Sequence, residues 1–444
     1  MLSKKSPSKI IPEYSLTRDL LPYITCGLQY RYYNRSSLPS STQVPWFGEF
    51  IHAVLNEAYR RWHESDSLHC FPWDWRTQIH DIELDINKRL NARGLLAPPG
   101  LFCPCTADGV EGFCPDENHP HMLLASLRSE AAINTWGPHL FPLITNAEVK
   151  LRGTREMPEI DDKKRRAEYY GISGVADVVA SSAINKESED NMILNYLRPF
   201  IAAINKANED NMILNYLRPF IAAINKANED NMILNYLRPF IAAINKASED
   251  NMILNYLRPF LGDCDDFEIV IDYKGMRRPR TDDQMWKYHR WQILTYAWLR
   301  SRQGSEVPVR AGIILYLNEL VPSRKDIEKL KRDIETKSTD LLPPSEDYKK
   351  ILKWNLKDTP PQLSNRYMRD RSIRVIPVDE RAINESLSEF DKVVADIERS
   401  VLREMRGEPL KRCWNAVFRE EICTGCDFKT FCPKASSKYK PTVP

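Results

Sequence analysis

The ten residues Asp266 to Gly275 read DFEIVIDYKG, an apolar run with an acid and an amine two positions apart near its end. In a strand, side chains alternate between faces, so Asp272 and Lys274 share one face while Ile271 and Tyr273 take the other. The sequence GVAD, ending at Asp177, lies in another β-rich run and can deliver a second carboxylate. Two carboxylates bind Mg²⁺ or Mn²⁺ through hard oxygens and leave positions for water and phosphate. Such an ion polarises a phosphoryl oxygen and lowers the pKa of its water. Lys274 would orient that water or stabilise the negative charge that develops. D-x-K on a strand is also what a surface ion pair looks like, so its meaning depends on its surroundings.

A second chemistry sits at the two ends of the chain. Cys26 stands alone near the start, and Cys423, Cys426 and Cys432 form a C-x2-C-x5-C group before the end. Four thiolates converging on a soft metal centre would clamp the first helix to the last segment. On ligand chemistry, a [4Fe-4S] cluster and a structural Zn²⁺ suit them equally, with Trp414, Phe428 and Phe431 as an apolar shell. A further group, Cys103, Cys105, Cys114, His119 and His121, has C-x-C and H-x-H spacings that can share one zinc ion. His69 and Cys70 are alternative ligands there, and an ordinary Cys/His-rich loop is the competing reading. Cys264 reads as an isolated thiol.

The elements that must position these residues follow from periodicity. From Trp46 to Trp62, Phe47, Phe50, Ile51, Val54, Leu55, Ala58 and Tyr59 form one stripe at helical spacing, with His52 at its edge. A polar helix near 76–94, a Pro/Gly/Cys-rich loop at 97–120 and a helix at about 121–136 follow. Residues 146–153 and 168–180 read as a β-hairpin, 266–275 as a third strand, 283–302 as a helix and 307–318 as a fourth strand. Gln292 and Tyr296, four apart, fall on one face of that helix. Residues 378–405 form a long amphipathic helix. Between strands two and three, NMILNYLRPFIAAINKANED begins at Asn191, recurs at Asn211 and Asn231, and starts a partial copy at Asn251. Each unit has helical spacing broken by a proline, which predicts two short helices or one kinked one. The repeat reads as an insertion, and a stack of units docking a partner is the alternative.

The divisions expected are an N-terminal helical segment (1–62), a helical and Cys/His loop region (63–140), a core (141–320) carrying the repeat (184–260), a linker or lid (321–377), and the C-terminal helix with its cysteines (378–444). Lys plus Arg (63) nearly balance Asp plus Glu (61), so any surface for a polyanion must be local. The candidates are Arg277, Arg278, Arg280, Lys287, Tyr288 and Arg290, which directly follow the D-x-K strand and would hold phosphates and stack bases, or form a solvated helix start. The absence of a long apolar run and of a signal-peptide pattern predicts a cytoplasmic protein without a membrane partner. Ten cysteines in such a chain read as metal ligands or free thiols rather than a disulfide frame. No G-x-x-x-x-G-K-[ST] occurs, so a helicase would be a partner in trans.

In chain order these features run G-x-x-x-H (Gly48 to His52), Glu148 opening a strand, G-x-x-D (Gly174 to Asp177), D-x-K and Q-x-x-x-Y. That order resembles the RecB-type branch of the PD-(D/E)XK nuclease superfamily. The early cysteine with the late C-x2-C-x5-C resembles its iron–sulfur subgroup, which includes CRISPR-associated adaptation exonucleases and the nuclease domains of AddB-type repair enzymes. The resemblance implies an α/β fold with a restriction-endonuclease-like core, a mixed central sheet flanked by helices. Its helical N- and C-terminal parts would be closed by a metal cluster, with the helical repeat inserted. It implies Asp177 and Asp272 as metal ligands, joined by His52 and the Tyr273 carbonyl, with Lys274 catalytic and Gln292, Tyr296 and Glu148 supporting the site or contacting DNA. It favours [4Fe-4S] over zinc at Cys26, Cys423, Cys426 and Cys432, and a DNA exonuclease or end-processing role in repair, recombination or defence. The repeat, the loop near Cys103, and Cys413 depart from the pattern. The competing function is a DNA-binding or scaffold protein that keeps the fold without turnover.

Overall fold

The computed structural model describes residues 11–35, 46–65, 68–105, 122–160, 165–181, 252–261, 266–305 and 307–435. Six strands form one open mixed sheet: β1 (Glu13–Ser15), β2 (Ile144–Glu156), β3 (Tyr169–Ser181), β4 (Glu268–Lys274), β5 (Val309–Tyr316) and β6 (Ile373–Pro377). β4 and β5 are largely apolar runs buried on both faces, and they pair in parallel, as strands covered by helices on both sides commonly do. β2 and β3 form the antiparallel hairpin expected from their alternation. β2 occupies one edge of β3 along almost its whole length. The other edge is shared end to end: β1 pairs in parallel with residues 171–173, and β4 antiparallel with 178–181. Between them residues 174–177 have no strand partner on that edge, and beyond Ile271 β4 keeps its ladder with β5 alone.

Helices cover both faces. The described helices of two turns or more are α1 (Gly27–Arg35), α2 (Trp46–Glu64), α3 (His80–Ala92), α4 (Leu124–Leu140), α5 (Met252–Leu261), α6 (Gln284–Ser301), α7 (Arg324–Glu335), α8 (Ser345–Lys353), α9 (Asn365–Ser372) and α10 (Glu380–Met405). The pleat divides the core cleanly: Ile271 and Ile313 pack with α2 and α4, whereas Val270 and Ile314 pack with α6 and α10. α6 lies very close to the sheet. A methyl group added at Gly174 would stand 2.5 Å from the Tyr296 ring, and one at Gly312 would overlap Ile293. The architecture is a mixed α/β one, consistent with a restriction-endonuclease-like core.

Several features differ from the expectations. Residues 321–377, read as linker or lid, hold α7, α8 and α9 with an apolar cluster of their own around Ile327, Ile351, Trp354 and Tyr367. They also hold β6, an edge strand antiparallel to β5. Their polar composition reflects small amphipathic helices that bury one face each. β1 was too short to show a period. The three full repeat copies lie outside the described residues. In the partial fourth copy α5 runs through Pro259 as a single helix, its apolar side in the core at Ile253 and Leu257.

The N- and C-terminal parts do close on each other, through ionic clamps along α10. Tyr14 and Arg166 both donate to Glu398, which is fully buried; Arg155 and Tyr170 donate to Asp391; Arg31 and the Trp414 indole donate to Glu404.

Candidate active site

The gap between β3 and β4 collects the acidic residues singled out from the sequence. Where the ladder ends, the Asp177 carboxylate replaces it, accepting the Tyr273 backbone N–H at 2.7 Å through Oδ2. The same oxygen lies 3.2 Å from His52 Nδ1, presented by α2. This is why Asp177 turns toward β4. An N–H freed by the splay of two strands must find an acceptor, and the nearest carboxylate supplies it. Asp272, 2% exposed, accepts from Gln292 Nε2 at 3.0 Å on Oδ1, and the Lys274 ammonium stands 2.6 Å from its Oδ2. The Lys274 ammonium is the ionic partner of Oδ2, which accepts from no other group among the described residues. Gln292 bridges the pair, its Oε1 accepting from Lys274 at 2.9 Å, and its amide also lies 3.2 Å from the Tyr296 hydroxyl. Gly174 permits this: the Tyr296 ring rests where a side chain at 174 would be.

The electrostatics follow from two buried carboxylates sharing one pocket. Burial raises the Asp177 pKa, but His52, Lys274 and the Tyr273 N–H outweigh it and hold the group below its usual value. Asp272 goes the other way: burial, reinforced by the charge on Asp177, raises it despite Lys274. Burial pulls His52 down, and the Asp177 charge more than reverses this. The result is an unequal acid pair: neighbours hold Asp177 ionised, while burial and the Asp177 charge make Asp272 the easier of the two to protonate. No three His, Cys, Asp or Glu side chains among the described residues stand arranged to hold an ion as they are. The donor chemistry suits a hard cation all the same: two buried carboxylates share the pocket, and such a cation relieves the repulsion between them.

Glu148 is exposed and lines a cavity with His52 and Asp177. It falls between the paired residues Ala147 and Val149, opposite Asp177 in the hairpin register, and its backbone is left-handed, with φ of 50°. The other predicted residues are scattered. Arg277 and Arg278 pair with Asp333 and Asp340, which ties the strand's exit to the segment carrying α7 to α9, and Arg280 pairs locally with Asp282. Lys287 is exposed, and Tyr288 and Arg290 are half-buried.

Cys26, Cys423, Cys426 and Cys432 line one small cavity, so the two ends of the chain do meet there. Trp414 and Phe428 are buried nearby, but Phe431 is 69% exposed and contributes no apolar shell. Cys413 is buried and donates to the Glu408 carbonyl instead. Of the proposed zinc ligands, Cys114, His119 and His121 lie outside the described residues; Cys103 is buried and Cys105 half-buried. His69 bonds the Trp62 carbonyl and Cys70 is exposed. Sequence reasoning passed over Asn56 and read Tyr59 only as part of the apolar stripe; both share the cavity with His52 and Asp177. Their spacing of four and seven residues from His52 was the available signal.

Residues 263–433 match the model of the PD-(D/E)XK nuclease superfamily. That span contains Asp272, Lys274, Gln292, Tyr296 and the three late cysteines, while His52, Glu148 and Asp177 precede it. No curated protein matches the chain. Among the described residues, no helix is long and apolar enough to cross a membrane.

Proposed function

We propose that this chain is a metal-dependent deoxyribonuclease that hydrolyses phosphodiester bonds with Mg²⁺ or Mn²⁺, acting on DNA ends or single strands. The superfamily match supports a nuclease. The observation that carries the reading to these residues is the meeting of Asp177, Asp272 and Lys274 in one gap of the sheet. Asp177 and Asp272 would hold the ion, with His52 and the Tyr273 carbonyl. When bound, the ion supplies neutralisation of the phosphoryl charge and a water of lowered pKa. Lys274 then orients the attacking water or stabilises the developing charge, held in reach by the Gln292 carbonyl oxygen. Gln292 fixes the acid and the amine together, and Tyr296 fixes Gln292.

The reading extends to a [4Fe-4S] cluster on Cys26, Cys423, Cys426 and Cys432. The four thiols line one cavity and suit a soft metal centre, and the family resemblance favours iron–sulfur over zinc there.

The test is degradation of labelled single- and double-stranded DNA in Mn²⁺ by the wild type, Asp272→Ala and Lys274→Ala. Each variant should lose at least about a hundredfold in rate. A wild type that cuts neither substrate, or variants that match it, would end the enzyme reading.

A further inference from the structure

His52, Asp177 and Tyr273 border a small cavity between α2 and the β2–β3 hairpin, with a volume of about 70 Å³. Its described lining contains no lysine or arginine. A phosphate group is held by cationic side chains or clustered backbone N–H groups, and here the nearest charge beyond the metal-site residues is the carboxylate of Glu148. The walls are instead apolar at Leu55, Ile144 and Val178, aromatic at Tyr59, and amide-bearing at Asn56. Val175, also on the lining, is 44% exposed in the middle of β3, an unusual place for a bare aliphatic side chain. Asn56 is half-buried and makes no hydrogen bond among the described residues, so its two donors and one acceptor are available. His52, Asn56 and Tyr59 lie at i, i+4 and i+7 on one face of α2, and form a stripe leading from the acids into the cavity.

Resting on the nuclease reading above, we infer that this cavity is a nucleobase subsite and that the substrate is single-stranded. A base would offer a face to Val175 and a hydrogen-bonding edge to Asn56, with Leu55, 4% exposed, and Tyr59, held by Trp62, Phe141 and the Ile144 carbonyl, as a fixed wall. In a duplex that base is stacked and paired, and it enters such a cavity only after being turned out of the helix. A strand already unpaired avoids that cost. The anionic backbone is left to the side of Lys274, away from Glu148.

The experiment uses Lys274→Ala protein in Mn²⁺ with a fluorescent single-stranded oligodeoxythymidine carrying 5-iododeoxyuridine, and its duplex as the comparison. Irradiation should crosslink the iodinated base to the α2 peptide that contains Tyr59, located by mass spectrometry. Asn56→Ala in the same background should weaken single-strand binding about tenfold and leave duplex binding unchanged. The near-isosteric Asn56→Asp, which keeps the fold but adds charge, should weaken it at least as much. Crosslinks confined to other peptides, with both Asn56 variants binding like their parent, overturn the subsite. The nuclease reading is judged separately by cleavage with the unsubstituted enzyme, so either can fail without the other.

Discussion

His289 shows how far the site's electrostatics reach into the core. It is 5% exposed, its Nδ1 lies 3.1 Å from the Tyr316 hydroxyl, and burial, with Lys274 and Arg374 nearby, lowers its pKa from 6.5 to about 3. The folded protein therefore holds this imidazole neutral, whereas the unfolded chain binds a proton once the pH drops below 6.5. Its contribution to stability is complete above that pH and is lost as the pH falls toward about 3. Thermal melts from pH 7 down to 4 should have a shallower acid limb in His289→Gln than in the wild type. Parallel limbs would mean that the imidazole titrates normally in the fold. Glu148 is an instance of a different kind, a non-glycine residue in a left-handed backbone beside a candidate active site. Such a conformation costs on the order of 1 kcal/mol or more and persists only where the surrounding structure holds it.

The close approach of α6 to the sheet governs the site more than any one side chain does. Gln292 reaches both Asp272 and Lys274 because Tyr296 settles onto Gly174 and Ile293 onto Gly312. Overpacking a tight core contact costs about 1–3 kcal/mol and shifts the backbone. Gly174→Ala should therefore lower turnover by displacing the Gln292 bridge, and Tyr296→Ser in the same chain should restore stability, though not the hydroxyl's position. A Gly174→Ala enzyme with full activity would show that helix placement tolerates such a shift. The β4 exit makes a related point. Arg277 and Arg278 are engaged by Asp333 and Asp340, so they serve to fasten the segment carrying α7 to α9 rather than to await phosphates.

The carboxylates of α10 join the ends of the molecule through Tyr14 and Arg31, and the proposed cluster on the four cysteines would be a second, separable device. Glu398 is buried but its partner Arg166 is 31% exposed, so water can take up the charge left behind, and Glu398→Gln should cost about 1–2 kcal/mol while leaving any iron–sulfur absorbance intact. Cys432→Ser should abolish the brown colour expected of anaerobically purified protein and still unfold cooperatively, because the clamps remain. If the serine variant instead loses the folded state altogether, the cofactor rather than α10 holds the closure.

What could be read directly from the residues was local. The shared face of Asp272 and Lys274, the hairpin, the α2 stripe, and the pairing of Gln292 with Tyr296 on one helix face all follow from backbone periods of two and 3.6 residues. Long-range arrangement was not legible in this way. Nothing near Asp177 announces that it will take an N–H 96 positions away, that β1 and β4 will divide one edge of β3, or that the arginines after Lys274 will find aspartates beyond α6. A period is imposed by adjacent peptide units, whereas those partnerships depend on which distant segments the packed core brings side by side.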